Sequence, residues 1–487
     1  MTTARTPSSP SSRRALLARG AGLAAALVFA PAFRFASAAD PRLRTLARTF
    51  RGEIATPGQA LYDRIRAPYD ADYAAVRPLA VVRPRDAADV ATVVRWSAAT
   101  GVPIVARSGG HSYIGASTTR GVVVDLAHLA SVGVTPGRAT VGAGARLGVV
   151  YAALAAHGVA VPAGTCPGVG IGGHALGGGF GLASRAWGLA SDNVVSLQIV
   201  TADGRVLTAD ATHHPDLFWA CRGGGGGNFG VVTRFVFRTH PVTGGSYFIA
   251  SWPWSQVDQV LQGYLGWASH TDDRLGSVCR LAAGPGGPTV QVFGQFLGST
   301  AGLDALLAGL MPAASRLVTG QAVWLDLVRR WAGCLGHTLP ECSAPGSQPF
   351  AGSSSYLAKV PSTSQLDAFR AVVEQRGAAS GALLIDAYGG AVNRIAPAAT
   401  AFVHRRALAS VQYFAVGAGS ARSWVTSARS ALASSMDGEA YVNYADPSLP
   451  NALHAYYGPN LPRLVQVKRR YDPNRLFRTP QGVPTHV

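Results

Sequence analysis

Apolar residues start to recur in short regular runs near residue 75, and their spacing changes along the chain. Ala80-Val81-Val82 reads as a strand. From Asp86 to Thr100 the apolar positions Val90, Val93, Val94 and Ala98 fall on one helical face, with Asp86 as the N-cap. Val102 to Ala106 predicts a second strand, which delivers the chain into RSGGHSYIGAS. Gly121 to Leu126 and Arg138 to Val141 read as further strands, and Arg146 to His157 as a helix. Val194 to Thr201 reads as a strand turned by Ala202-Asp203-Gly204. Pro215 to Ala220 begins a short helix, and GGGGGNFG (223–230) precedes the strand VVTRFVFRT.

Near residue 245 the character changes. Short strands (Tyr247 to Ser251, Thr289 to Phe296) alternate with helices (Ser255 to Ser269, Gly302 to Leu310, Ser364 to Arg376). Ser380 to Tyr388 and Ser410 to Val416 read as strands again. Glycine-rich loops are fewer here, and the stretch reads as a separate α+β unit. From about residue 440 a loop-rich, aromatic style returns, with YVNYADP and YYGPN. No internal repeat is visible. At 487 residues and 48% hydrophobic, the chain is long enough for two substantial domains.

The first 39 residues stand apart from this pattern. SSRRALLARGAGLAAALVFAPAFRFASAAD carries Arg13-Arg14, a short apolar run and a small-residue stop at Ala36-Ser37-Ala38. These are the parts of a twin-arginine secretory signal. The run is too short and interrupted to span a bilayer comfortably. The expectation is an exported protein, folded before export, with no membrane attachment once the signal is cleaved.

A formal charge of +18 raises the question of nucleic acid. The basic residues are almost all arginine and are scattered, no run exceeding Lys468-Arg469-Arg470, and aromatics do not interleave with them. Compositional bias is the reading adopted, with no nucleic-acid partner expected. Of five cysteines, Cys334 and Cys342 share the polar stretch WAGCLGHTLPECSAPGSQP and predict a disulfide. Cys221 and Cys279 sit in apolar surroundings and read as buried thiols. Cys166 is left over. No C-x-x-C or H-x-x-x-H spacing supports zinc, so no metal is expected.

Three glycine-rich loops fall in the first unit: RSGGHSYIG, CPGVGIGGHALGGGFG and RGGGGGNFG. Glycine lets backbone amides approach an anion and permits positive φ. One such loop is usually a turn, whereas three in one unit suggest a large phosphate-bearing ligand wrapped by backbone. Gly168, Gly170 and Gly173 match G-x-G-x-x-G, but Cys166-Pro167 precedes them where a strand is required. Asp192 has roughly the offset of a ribose-binding acid, which alone is weak. No G-x-x-x-x-G-K-[ST] occurs.

RSGGHSYIG, then AGTCPGVGIGGHALGGGFG, then a tail YVNYADP…YYGPNLPRLVQVKRRYDPNRLF resembles the berberine-bridge-enzyme-like oxidases, of the FAD-binding superfamily that includes vanillyl-alcohol oxidase. The resemblance spans essentially everything after the signal. It implies a two-subdomain FAD-binding domain plus an α+β substrate domain with an antiparallel sheet. The divisions expected are 40–243 for FAD, 244–438 for substrate, and 439–487 for a segment returning to the flavin. FAD is then implied to be held covalently twice, through His111 to its 8α-methyl and through Cys166 to C6. Alternatives for these two residues are a loop histidine satisfied by backbone and a packing thiol.

The same resemblance implies that Arg107, Ser108, Gly109, Gly110, Ser112 and Gly115 cradle the pyrophosphate through amides and hydroxyls. Gly170, Gly172, Gly173, His174, Gly177 and Gly178 would line the isoalloxazine and ribityl side, with His174 equally a structural histidine. Val169 takes the position of a small gatekeeper over the oxygen-reacting face, which favours an oxidase; a core valine is the alternative. Tyr441 and Asn443 of the closing segment are placed beside the flavin, although packing alone would also account for them.

Alcohol oxidation by a flavin needs a base for the hydroxyl proton. The resemblance assigns it to Tyr444, the second tyrosine of Y-x-N-Y. A free tyrosine has a pKa near ~10 and needs a partner. Two positions match those from which the family supplies one: Asp386, which can orient the phenol and take its proton, and Gln412, which can only orient it. With no glutamate at position 412, carbon–carbon bond-forming alkaloid chemistry is disfavoured. The expectation is a secreted, monomeric, bicovalent FAD oxidase. It would take a hydride from an alcohol or sugar lactol of an oligosaccharide or glycosylated secondary metabolite and reduce O2 to H2O2. A flavin dehydrogenase with another acceptor is the alternative. A colourless binding protein and a nicotinamide-dependent enzyme are the rivals from other classes.

Overall fold

The computed structural model describes residues 40–343 and 347–486, so the leader assigned to residues 1–39 lies outside the described residues. The first strands are β1 (Glu53–Ala55), β2 (Ala80–Arg83), β3 (Ile104–Arg107) and β4 (Val122–Asp125). They form one sheet in the order β1-β2-β4-β3, with β2, β4 and β3 parallel and β1 antiparallel at its edge. Helix Ala87–Thr100 makes the parallel crossover. Asp86 caps it by accepting from the Asp89 amide, Gly101 ends it at φ 69°, and Val90, Val93 and Val94 are fully buried.

Next come β5 (Val132–Thr135), β6 (Arg138–Gly142), β7 (Val159–Ala160), β8 (Val194–Val200), β9 (Val206–Asp210), β10 (Val231–Arg238) and β11 (His240–Pro241). Five of these make an antiparallel sheet in the order β5-β6-β10-β8-β9, while β7 and β11 pair as a small ribbon. The β8–β9 hairpin turns where the sequence predicts it. The remaining strands are β12 (Gly244–Trp252), β13 (Leu275–Ala283), β14 (Thr289–Phe296), β15 (Arg316–Val323), β16 (Phe350–Leu357), β17 (Gly381–Ala387) and β18 (Ala409–Val416). They build one antiparallel sheet, ordered β15-β12-β14-β13-β17-β18-β16. The architecture is the α+β fold expected of a vanillyl-alcohol-oxidase-type protein.

Apolar side chains gather into two large cores. One takes Leu43 through Phe237 together with Tyr456, Tyr457 and Leu464 of the tail; the other takes Phe248 through Leu432, on the helix-covered face of the seven-stranded sheet. Helix Trp324–Trp331 crosses between them, because Trp324, Leu327 and Val328 pack into the first core although the chain around them belongs to the large sheet.

The tail differs from its sequence reading. It contains helices Ala452–Tyr457 and Leu461–Tyr471 instead of loop alone. The longer helix starts at Leu461-Pro462 and buries Leu464, Val465 and Val467. On its inner side the Lys468 ammonium donates to the carbonyls of Asn228 and Phe477 and to Asp472 Oδ2 (2.6, 2.8 and 2.6 Å), which fastens the tail to the GGGGGNFG loop. The Asp192 carboxylate holds the buried Arg405 guanidinium through two bonds of 2.7 and 2.8 Å. Arg185, also buried, donates to the carbonyls of Leu275, Thr271 and Tyr388, so it ties the glycine-rich half to the large sheet.

Candidate active site

The His111 loop leaves β3 at Arg107. That guanidinium is buried and donates to the carbonyls of Ser117, Ile65 and Arg66 at 2.9, 2.6 and 2.8 Å, so its side chain ties the two ends of the loop to the Ile65–Arg66 segment. Ser108 is likewise committed: its hydroxyl donates to the Ala143 carbonyl at 2.5 Å and accepts from the Gly172 amide at 3.3 Å. Gly110 adopts φ 77°, which reserves the position for glycine, and a side chain at Gly115 would run into the Tyr73 ring. Ser112 accepts from the Ala116 amide at 2.9 Å. Across this bend the backbone N–H groups of Gly109, Gly110, His111, Ser112 and Tyr113 find no acceptor among the described residues. A run of unused donors on a glycine bend is an anion cradle, which is what a pyrophosphate requires.

The cysteine loop presses against it. A side chain at Gly109 would collide with Gly170, one at Gly170 with Gly109 and Ser108, and one at Gly172 with the Ala143 carbonyl. The backbones therefore meet without side chains between them. The G-x-G-x-x-G does open a helix, Ile171–Leu176 with Gly170 at its N-cap, but no strand leads directly into it: β7 ends at Ala160 and residues 161–169 are loop. Gly173 on that helix and Gly226 of the GGGGGNFG loop are both exposed and lie close, a side-chain carbon at Gly226 falling 3.6 Å from the Gly173 Cα.

His174 is structural in its contacts: its Nε2 accepts from the Gly164 amide at 3.0 Å, and burial pushes the imidazole down to about 4, so it stays neutral. Asn443 donates to the His174 carbonyl and to the Tyr441 phenol at 3.0 and 2.9 Å, and it fills the space over Gly177. The Tyr441 hydroxyl accepts from the Gly179 amide at 2.7 Å, and Phe402 and Tyr441 close over Gly178. The tail thus clamps the glycine run from above. Val169 is half-buried against the first core, and its amide donates to the Cys166 carbonyl at 3.2 Å.

His111 stacks on Tyr69 with ring centroids 3.9 Å apart and lies next to Gly168. Desolvation, with Arg146 behind it, pushes its imidazole down to about 4, leaving a neutral ring with a free lone pair. Cys166 is exposed to the cleft, yet protein surrounds it on enough sides that its thiol is pushed up. Cys334 and Cys342 stand at disulfide distance, their Cα atoms 6.1 Å apart. The bridged loop ends beside the cysteine loop, where Ser343 donates to the Pro167 carbonyl at 3.2 Å and its own carbonyl receives Arg146. Cys221 and Cys279 are buried free thiols.

Tyr444 stands between two aromatic rings, parallel to Tyr113 at 5.7 Å and edge-on to Tyr441 at 5.0 Å. Its phenol is raised well above 10 by burial and then by the Asp386 charge. A nearby carboxylate makes a tyrosinate harder to form, so Asp386 does not activate Tyr444 through its field; its available role is to receive a proton. Asp386 lies on β17, half-buried and with no hydrogen-bond partner among the described residues, and burial alone pushes it up to about 7. Gln412, expected to orient Tyr444, instead donates to the Tyr113 hydroxyl at 2.8 Å, because β18 directs it toward the His111 loop. Tyr113 was missed in the sequence; its only signal is its place two residues after His111.

Two family models match the chain, the FAD binding domain over residues 78–210 and the berberine and berberine-like model over 440–484. An uncharacterized FAD-linked oxidoreductase of Bacillus subtilis is 34% identical over 411 residues, covering 81% of this chain and 89% of that protein. The chitooligosaccharide oxidase of Gibberella zeae is 32% identical over 431 residues, covering 83% and 87%. The structure of Physcomitrella patens BBE-like 1 superposes with a TM-score of 0.85 at 30% identity, covering 92% of this chain and all of that one. The donor-lined glycine bend and the close-packed glycine loops fit FAD, and this chain belongs to the berberine-bridge-enzyme-like FAD-linked oxidoreductases.

Proposed function

We propose that the chain is an exported, monomeric oxidase that oxidises a CH–OH group, on an alcohol or the lactol of an oligosaccharide or glycosylated secondary metabolite, and reduces O2 to H2O2. Export would use the twin-arginine signal of residues 1–39. Residues 40–243 and 439–487 would hold FAD, and residues 244–438 the substrate. His111 and Cys166 would attach FAD covalently, while Gly109 to Tyr113 offer their amides to its pyrophosphate. Bound FAD supplies the two-electron acceptor and the route of the electrons to oxygen.

The remaining work falls to this chain's side chains. Tyr444 would meet the substrate hydroxyl and pass its proton to Asp386. The observation that carries the reading is Asp386: a carboxyl without a partner, on the open face of the large sheet, close enough to Tyr444 to raise its phenol. The sugar class is favoured by the chitooligosaccharide oxidase among its relatives. A screen of the purified holoenzyme against reducing oligosaccharides and polycyclic alcohols, read as peroxide, tests it; peroxide with a reducing sugar is expected. Reduction of the flavin by a sugar with slow reoxidation in air would convert the oxidase into a dehydrogenase, and a colourless protein would overturn the reading.

A further inference from the structure

Beyond Asp386, the open face of the large sheet runs outward into side chains that the proposed chemistry does not use. Strand register sets Gln291, Arg280, Leu384 and Gln412 side by side across β14, β13, β17 and β18. Arg280 faces the same side as Asp386. Its neighbours Cys279 and Leu281 are fully buried under the helices on the other face, whereas Arg280 itself is exposed. Asp386 pairs with Val278, so Arg280 is its diagonal neighbour, roughly 7–8 Å away between Cα atoms. Among the described residues Arg280 forms no ion pair, and the rise of Asp386 owes nothing to it. Arg280 is therefore an exposed cation on the face of Asp386 that is not paired with its carboxyl.

A second cation stands two strands away. Arg330 lies over the Tyr247 ring at 3.7 Å and also lacks an ion pair among the described residues. Beside it, Trp331 stacks on Phe293 at 5.5 Å and 25°, and its indole donates to Gln295 at 2.9 Å. Phe293 pairs with Val278, so this aromatic platform shares the face of Asp386 and Arg280. Asp386 is the one carboxyl these strands add to that face. Two cations without acids thus flank an aromatic platform on the sheet face that carries Asp386. Aromatic rings pack on the apolar face of a sugar, and a guanidinium matches a carboxylate with paired N–H donors.

We propose that the substrate is an acidic oligosaccharide, with a carboxylate on the ring next to the one oxidised, held by Arg280 and assisted by the Arg330 charge. The inference rests on the sugar-oxidase reading and specifies its substrate class. The test compares cellobiouronic acid (glucuronic acid linked to glucose) with cellobiose, which differ only at the distal C6. Dissociation constants of the holoenzyme are read from flavin absorbance, and turnover from peroxide. The acidic sugar is expected to bind on the order of tenfold tighter, the size of one charge-assisted contact, with the margin shrinking as salt rises. Arg280→Gln is expected to bring it down to the level of cellobiose, and Arg280→Lys to keep part of the margin. Equal binding of the two sugars by the wild-type enzyme, or a preference that survives Arg280→Gln, overturns the proposal. Preferential binding without oxidation of either sugar upholds this site and sinks the oxidase reading. Oxidation of both without preference does the reverse.

Discussion

Gln412 donates its side-chain amide to the Tyr113 hydroxyl at 2.8 Å, joining β18 of the large sheet to the loop that carries His111. Tyr113 in turn lies parallel to Tyr444. Gln412→Leu removes the donor to the half-buried Tyr113 phenol, at a cost of about 0.5–1.5 kcal/mol. The denaturation midpoint is expected to fall accordingly, with the flavin retained. An unchanged midpoint would mean that the bond carries no weight.

Asp386 predicts a pH dependence. A base titrating near 7 is protonated and idle below that pH and ionised above it, so kcat is expected to rise through about pH 7 and level off. Asp386→Asn should erase that limb and slow turnover roughly 10²–10⁴-fold. The same group has a stability signature of the opposite sense. Its carboxyl stays protonated in the folded protein where the unfolded chain, near 3.8, is already ionised, so stability falls as pH climbs from about 4 to about 7. Denaturation across that range should show Asp386→Asn losing less stability than the wild type.

Tyr444→Phe keeps the ring between Tyr113 and Tyr441 and deletes the hydroxyl. Turnover is expected to drop on the order of a hundredfold or more with the yellow colour intact. Turnover within a factor of a few of wild type would assign the proton to Asp386 directly.

The tether is tested by acid precipitation. His111→Ala and Cys166→Ala should each leave flavin in the pellet through the remaining link, and the double variant should release it to the supernatant. A single variant that releases all its flavin would reduce the attachment to one bond.

The Asp192–Arg405 pair is buried, with side-chain exposures of 5% and 0%. Asp192→Ala strands a guanidinium in the interior and is expected to cost about 3–5 kcal/mol, read as a lowered chemical-denaturation midpoint.

Much of this was legible before folding. The capped helix at Ala87–Thr100, the strand Thr289–Phe296 and the β8–β9 hairpin follow from local periodicity and turn chemistry, which need only near neighbours. The three glycine loops, His111, Cys166 and the Y-x-N-Y of the tail carry the family resemblance as short strings. Other elements were not legible, for identifiable reasons. Strand β16, FAGSSSYL, is buried along its whole length although half its residues are polar or glycine, so it is a strand because β18 pairs with it and not through its own propensity. Helix Leu461–Tyr471 hid behind the Gly-Pro-Asn that starts it and the cations that follow, since Lys468 is buried only because Asn228, Asp472 and Phe477 receive it.

What the sequence by itself determined is therefore the set of parts: strands and helices with strong local patterns, loops with room for a phosphate, and the residues able to bond a flavin. Their partners were decided by tertiary structure. Gln412 reaches Tyr113 and not Tyr444, Arg107 ties its loop to Ile65 and Arg66, and Arg280 shares a sheet face with Asp386. Such pairings depend on strand register between segments far apart in the chain, and no local spacing encodes that register.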